Sequence, residues 1–271
     1  MKLKPVPKLK IEKKESLFIK NFKLAKSNPN KTGLMVLFDV LFLISVFALN
    51  KLVQYVAPAL VGTIAPTLAS AVLFIVFSLI YYLIALFAYS FFKYSILDFI
   101  KSLFEKTEFS FKRLAQFYSL NIVIAGIFFA IMFLANFLLI SIKQEYRPFV
   151  FIFLAIPYLL FLYIIVNISH SSFYEGASIQ EAIKKGFRIA FTKIKVYRET
   201  ILIMILVALL LWLLFLGSGY LIRLLASKNY TLYLNTYAYF KQASIIVFDL
   251  VFYLVILINR ISFYALIREN K

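Results

Sequence analysis

Six apolar stretches, each near the ~20 residues that carry a helix across ~30 Å of hydrocarbon, leave this chain few ways to fold. They run over residues 34–56, 68–90, 119–142, 149–169, 200–222 and 243–266, and the basic residues between them are distributed very unevenly. With Lys51 and Arg260 assigned to their nearer edges, alternate segments hold 24 and 6 of the 30 Lys and Arg residues. The positive-inside rule makes the larger share cytoplasmic, so both termini are expected inside a cell membrane of prokaryotic type. The predicted architecture is all-α and polytopic: six transmembrane helices paired as three hairpins. Residues 1–33 form a basic cytoplasmic juxtamembrane segment, 34–267 one six-helix membrane domain, and 268–271 a cytoplasmic tail.

A content of 63% apolar and only 15% charged residues excludes an ordinary soluble domain and leaves little polar surface for a second globular unit. The first 33 residues are lysine-dense and lack the apolar core of a secretory signal, so the stretch from Leu34 is expected to stay as a span. Absence of cysteine removes disulfides, thiolate metal ligands and cysteine nucleophiles together, and a single histidine, His170, excludes an all-imidazole metal site within one chain. No metal and no cofactor are expected. The net charge of +18 lies on cytoplasmic segments, where orientation and attraction to anionic headgroups account for it without nucleic acid. The expected partners are therefore an anionic lipid bilayer and, beyond it, another membrane protein or a second copy of this chain.

Each outward-going span is preceded by a basic stretch with helical apolar spacing, which predicts three amphipathic interfacial helices. The clearest is 179–198. There Ile179, Ala182, Ile183, Phe187, Ala190, Ile194 and Tyr197 share a stripe, while Lys184, Lys185, Arg188 and Lys193 take other faces as candidate headgroup contacts. Ser178 with Glu181 has the spacing of a capping box, in which hydroxyl and carboxylate satisfy free amides of the first turn. A second stripe, Leu97, Ile100, Leu103 and Phe104, precedes a short helical turn around Phe111, Leu114 and Tyr118, where Lys112 and Arg113 are further headgroup candidates. A third, Leu17, Phe18, Phe22 and Ala25, precedes Asn28-Pro29-Asn30, a helix breaker. On the outer side, 143–148 reads as a tight turn with Pro148 opening the fourth span. Residues 57–67 read as a short, partly embedded loop, and 223–242 as the longest connection, rich in interfacial tyrosine.

Ionisable groups inside hydrocarbon are costly, about 2.5–3.5 kcal/mol for Asp at a helix centre, so Asp39 and Asp249 call for partners. By depth, Asp39 falls near Arg260, His170 and Asn167, and Asp249 near Arg223, Lys51 and Gln54. The two carboxylates sit about 10 Å apart along the membrane normal, too far for a dyad. They serve either as structural contacts or, with a kink at Pro157 in the fourth span, as parts of a solute or ion pathway. There is no phosphate-binding glycine loop, no paired acidic cluster and no catalytic ordering around His170. The sequence thus favours a non-enzymatic scaffold, lipid-associated protein or assembly subunit, with a transporter using Asp39, Asp249 and Pro157 as the alternative.

The stretch from Tyr174 to Phe187, with Glu175, Gly176, Ser178, Glu181 and Ala182 at its turn and capped helix, resembles a pattern in several prokaryotic six-helix families. Among them is the membrane domain associated with bacterial glycerophosphodiester phosphodiesterases. The resemblance covers about 50 residues from the fourth span to the fifth and implies architecture: a six-helix module with cytoplasmic amphipathic helices. Phosphodiesterase activity in that family belongs to a separate soluble domain, so it is not implied for this chain.

Overall fold

Residues 15–61, 68–226 and 229–269 are described by a computed structural model. Eight helices follow in order: α1 (Leu17–Ser27), α2 (Pro29–Val61), α3 (Leu68–Ser102), α4 (Phe111–Ile140), α5 (Arg147–Tyr174), α6 (Ile179–Thr192), α7 (Ile194–Leu225) and α8 (Tyr230–Glu269). No strand occurs among the described residues. Six of the helices, all but α1 and α6, are long and apolar enough to cross a membrane. The protein is therefore a multi-pass, all-α membrane protein. Its long helices pair as the hairpins α2/α3, α4/α5 and α7/α8.

Local chemistry explains the breaks. Pro29 begins α2 because it has no amide to donate, and the Asn28 side chain bonds the Leu24 carbonyl that α1 leaves free (3.0 Å). Between α4 and α5, Arg147 donates to the carbonyls of Ile142 (2.9 Å) and Ile140 (3.0 Å), so the helix that begins there closes the one that ends. α5 stops in a Schellman turn. The Ala177 amide reaches the Ser172 carbonyl (3.1 Å) and the Gly176 amide the Phe173 carbonyl (3.0 Å), with Gly176 at φ 107°, a conformation that suits glycine. Two residues later the expected capping box forms: Ser178 Oγ accepts from the Glu181 amide (3.3 Å) and the Glu181 carboxylate accepts from the Ser178 amide (3.0 Å). These bonds favour the ionised form and hold the Glu181 carboxyl below its ordinary range.

Helix α6 folds back along α5. At their closest approach a Cβ on Gly186 would lie 2.1 Å from Ser169 Oγ, and further along Phe191 stacks on Phe161 with ring centres 4.9 Å apart. Ala182, Gly186, Ile189 and Ala190 are thus buried against protein, while Phe191, Lys184, Arg188 and Lys193 remain exposed. α1 docks on α8 with Ala25 and Phe18 of the expected stripe packed on the core and Asn21 taking the place of Phe22. Asn21 and Ala25 are buried and Asn21 bonds Ser262 (3.0 Å), whereas Phe22 is half exposed.

Three expectations are corrected. The stripe at Leu97 and Ile100 is no separate interfacial helix: α3 runs unbroken to Ser102 because no Gly or Pro interrupts it, and Leu97 and Ile100 are core residues. The tyrosine-rich stretch 223–242 is mostly helix, since α7 continues to Leu225 and α8 begins at Tyr230, with the Asn229 side chain accepting from the Leu232 amide (3.0 Å) as a cap. Likewise α2 extends to Val61, and the rest of the expected embedded loop, residues 62–67, lies outside the described residues.

Burial is confined to one end. The buried residues of the six long helices fall almost wholly at Met35, Ser90–Ile100, Leu114–Phe128, Ile164–Tyr174, Tyr197–Ile201 and Val255–Ile267, where α1 and α6 also pack. Most lysines gather around this basic end. Towards the opposite, apex end the same helices present Phe, Leu and Ile side chains outward, as lipid-facing surfaces do.

Candidate functional site

Helical spacing aims several polar side chains from different helices at one place. On α3, Tyr89, Lys93, Ile96 and Ile100 recur at intervals of three and four, so Lys93 lies on the buried stripe. Asp39 follows the fully buried Met35 by one turn of α2, and Tyr253 and Arg260 share a face of α8 two turns apart. α4 contributes Asn121, and α5 contributes Tyr163 and Asn167. Asp39, Tyr89, Lys93, Asn121, Tyr163, Asn167 and Arg260 line a cavity of about 590 Å³ whose remaining wall is largely apolar, including Phe128, Phe129, Met132 and Leu159.

Asp39 is paired. Its Oδ2 accepts from Arg260 Nη1 (2.5 Å) and from the Tyr253 hydroxyl (2.8 Å), with only 13% and 18% of the two charged side chains exposed. The pair joins the first long helix to the last. Removing either charge would strand the other in a poorly solvated place.

Lys93 is different. Only 7% of it is exposed, and its one hydrogen bond among the described residues is a long one to Asn167 Oδ1 (3.4 Å). Asn167 is held in turn by the Tyr163 carbonyl (2.8 Å). An ammonium carries three donors, and among the described residues only one of those of Lys93 has an acceptor. Asp39 and Arg260 are near enough to act on it electrostatically. Lys93, Arg260 and Asp39 are the basic and acidic side chains of the cavity wall.

Behind these groups, Asn121 donates to Ser90 Oγ (2.9 Å) and offers Oδ1 to His170 Nε2 (2.6 Å). Since a carboxamide oxygen only accepts, His170 carries its proton on Nε2, and Nδ1 is buried without a partner. Ser90 in turn donates to the Leu86 carbonyl (2.7 Å), so no hydroxyl approaches a histidine nitrogen able to accept its proton. Among the described residues no group of three or more His, Cys, Asp or Glu side chains is placed to hold a metal ion.

The other candidates fall elsewhere. Asp249 is exposed on α8 and lines a second cavity of about 510 Å³ with Trp212, Lys241 and Ser244. Among the described residues neither Arg223 nor Lys51 makes an ion pair with it, and Lys51 donates instead to Gln54 (3.4 Å). His170 is brought to Asn121, not to Asp39. Pro157 is exposed and lines neither cavity, and α5 passes through it as one helix from Arg147 to Tyr174. Of the headgroup candidates, Lys112 is exposed, but Arg113 turns inward to the Phe173 carbonyl (2.8 Å) and lies over the Phe173 ring. Lys185 is half-buried.

Sequence reasoning does not single out Lys93 or Asn121, and it sets Asn167 by depth near Asp39, whereas its hydrogen bond is to Lys93. Counted by position, Lys93 goes with the charges of one membrane side; its place in the stripe of Tyr89, Ile96 and Ile100 is the signal that it is buried. Compared with protein-family models, curated proteins and solved structures, the chain matches none.

Proposed function

We propose that this membrane protein is a non-enzymatic, lipid-associated scaffold of the cell membrane, with both termini cytoplasmic. The observation that carries this reading is the fate of the two intramembrane carboxylates. Asp39 is closed in an ion pair with Arg260 and Tyr253, while Asp249 opens on a separate cavity, and Pro157 adjoins neither. They make no shared path of the kind a proton or cation carrier requires. The buried histidine supports the same reading, because its Nε2 is held by Asn121 and, among the described residues, no hydroxyl hydrogen-bonds its Nδ1. Exposed lysines on α6 and at the start of α4 suit anionic headgroups, and the wide apolar flanks near the apexes suit lipid, a second copy or another membrane protein, with no role for nucleic acid. The six-helix architecture with basic short helices at one end is in keeping with the family resemblance of the segment 174–187.

Proteoliposomes loaded with a pH-sensitive dye test this against the transporter. Under an imposed sodium or potassium gradient the protein is expected to add no proton or cation flux over empty vesicles. Flux that disappears in Asp39→Asn or Asp249→Asn would overturn the scaffold. Orientation is tested separately: reporters fused after Lys143 or Lys228 should map outside, and those after Lys106 or Lys185 inside.

A further inference from the structure

We infer that the cavity between α2, α3, α4, α5 and α8 is a binding site for one anionic phospholipid, with its phosphate on Lys93 and an acyl chain along Phe128, Phe129, Met132 and Leu159. This rests on the lipid-associated reading and gives it a site.

Three observations carry it. The first is the unmet chemistry of Lys93, a cation buried to more than nine-tenths with a single long hydrogen bond. A charge so placed is unfavourable until something of opposite charge completes its hydrogen bonding, and a phosphate oxygen does so. Asp39 does not fill that role: its Oδ2 is turned to Arg260 and Tyr253, and among the described residues it makes no hydrogen bond or ion pair with Lys93. The carboxamide of Asn167 offers a dipole, not a charge.

The second is the division of the walls. Polar groups cluster at the floor, and the rest of the lining is aromatic or aliphatic, the pattern expected for a ligand with one charged end and one hydrocarbon end. A free inorganic anion would find no use for the apolar part. A zwitterionic lipid would bring a quaternary ammonium, with its phosphate, beside Lys93 and Arg260.

The third is depth. The apex turn between α4 and α5 carries Lys143, Glu145, Tyr146 and Arg147, which suit one membrane–water boundary. Counting inward, Asn121 on α4 and Asn167 on α5 each lie ~20 residues from that turn, or ~30 Å at 1.5 Å per residue. That distance is the thickness of the hydrocarbon core, so the floor of the cavity stands at the opposite boundary, where lipid phosphates reside. The leaflet concerned is the one beside the basic end.

Native mass spectrometry of the full chain in detergent, titrated with phosphatidylglycerol or phosphatidylcholine of identical acyl chains, tests the inference. The wild type is expected to prefer phosphatidylglycerol by about tenfold, because the choline ammonium of the other lipid is repelled by the basic floor. Lys93→Met should bring the two lipids to within about twofold of each other, since that repulsion is reduced and the phosphate of either loses the same partner. Ala125→Trp, which fills the cavity from its α4 wall without touching a charge, should lower binding of both. Lys106→Met, an exposed cation in the loop before α4, should leave the preference as in the wild type. Equal binding of both lipids to the wild type, an undiminished preference in Lys93→Met, or full displacement by equimolar inorganic phosphate would each overturn the site. If lipid is retained without headgroup preference, this inference alone fails; if neither lipid is retained, the lipid-associated reading fails with it.

Discussion

The basic end and the apex end are built from the same six long helices, yet they are held by different forces. At the basic end, side chains interlock across every hairpin: Asp39 with Arg260, Tyr174 with Asp98 (2.5 Å), Asn259 with the Thr200 carbonyl (3.2 Å), Asn21 with Ser262. α1 adds a strap, in which Glu199 accepts from the Ser16 hydroxyl (2.5 Å) and the Phe18 amide (3.2 Å). Among the described residues the apex end has fewer such ties, one being the Tyr81 hydroxyl donating to Asn50 Oδ1 (2.5 Å) between α3 and α2. Its apolar side chains face outward, and in hydrocarbon there is no hydrophobic force to press one apolar helix on another. Polar pairing and close steric fit at one end therefore set the relation between hairpins, and the other end follows.

That contrast can be broken by substitution, most severely at the ion pair. Arg260→Met leaves the Asp39 carboxylate without its charge partner and should cost about 3 kcal/mol, read as a fall in midpoint in thermal or denaturant unfolding in detergent. Next comes the contact of α6 on α5. Gly186→Val drives a side chain into Ser169 Oγ and towards the Ile165 carbonyl, a loss of about 2 kcal/mol by overpacking. Adding Ser169→Ala should recover part of that loss, which a general helix-propensity effect would not allow.

A smaller effect belongs to the start of α6. Ser178→Ala removes the cap and should cost about 1 kcal/mol. The same cap is sensitive to pH through Glu181. Its carboxyl is held below the unfolded value, so its contribution is complete above the ordinary carboxylate range and is lost as pH falls through the lowered value. A pH series of unfolding midpoints should show that acid-side loss in the wild type and lack it in Glu181→Gln. The smallest effect is expected near the apex: Asp249→Asn should change stability by less than about 0.5 kcal/mol, because no partner among the described residues depends on it. A large loss there would mean that the apex is also tied by polar contacts.

Much of the fold is legible in the sequence because hydrocarbon imposes a strong, local rule. Twenty apolar residues mark a span wherever they stand, and Ser178 with Glu181, or Gly176 before them, mark a turn by chemistry confined to a few neighbours. The misreadings come where that rule is silent. The tyrosines of 223–242 suit an interface equally as loop or helix; the absence of Gly and Pro from 223–242 and the spacing of Tyr233 and Tyr237, which stack with centres 5.6 Å apart, belong to a helix. The charges of Asp39 and Arg260 are visible within spans, but the packing of α2, α3 and α8 at one end decides which partner each meets. Asn121 carries no charge to draw notice, and the depth of Asn167 does not say that it meets Lys93. Lys93 carries a charge, but a lysine near a span's end counts only towards orientation unless its helical face is also considered.

Because the chain contains no cysteine, introduced cysteines can report on both ends of the same two helices without background. Spin-label distances between Lys112 on α4 and Lys195 on α7, and between Leu138 and Tyr220 on those helices, compare the ends directly; all four residues are exposed. In lipid, the pair at the basic end should give one narrow distance distribution and the pair near the apexes a distinctly broader one. Equal widths, or a broader distribution at the basic end, would contradict the claim that this end holds the fold together.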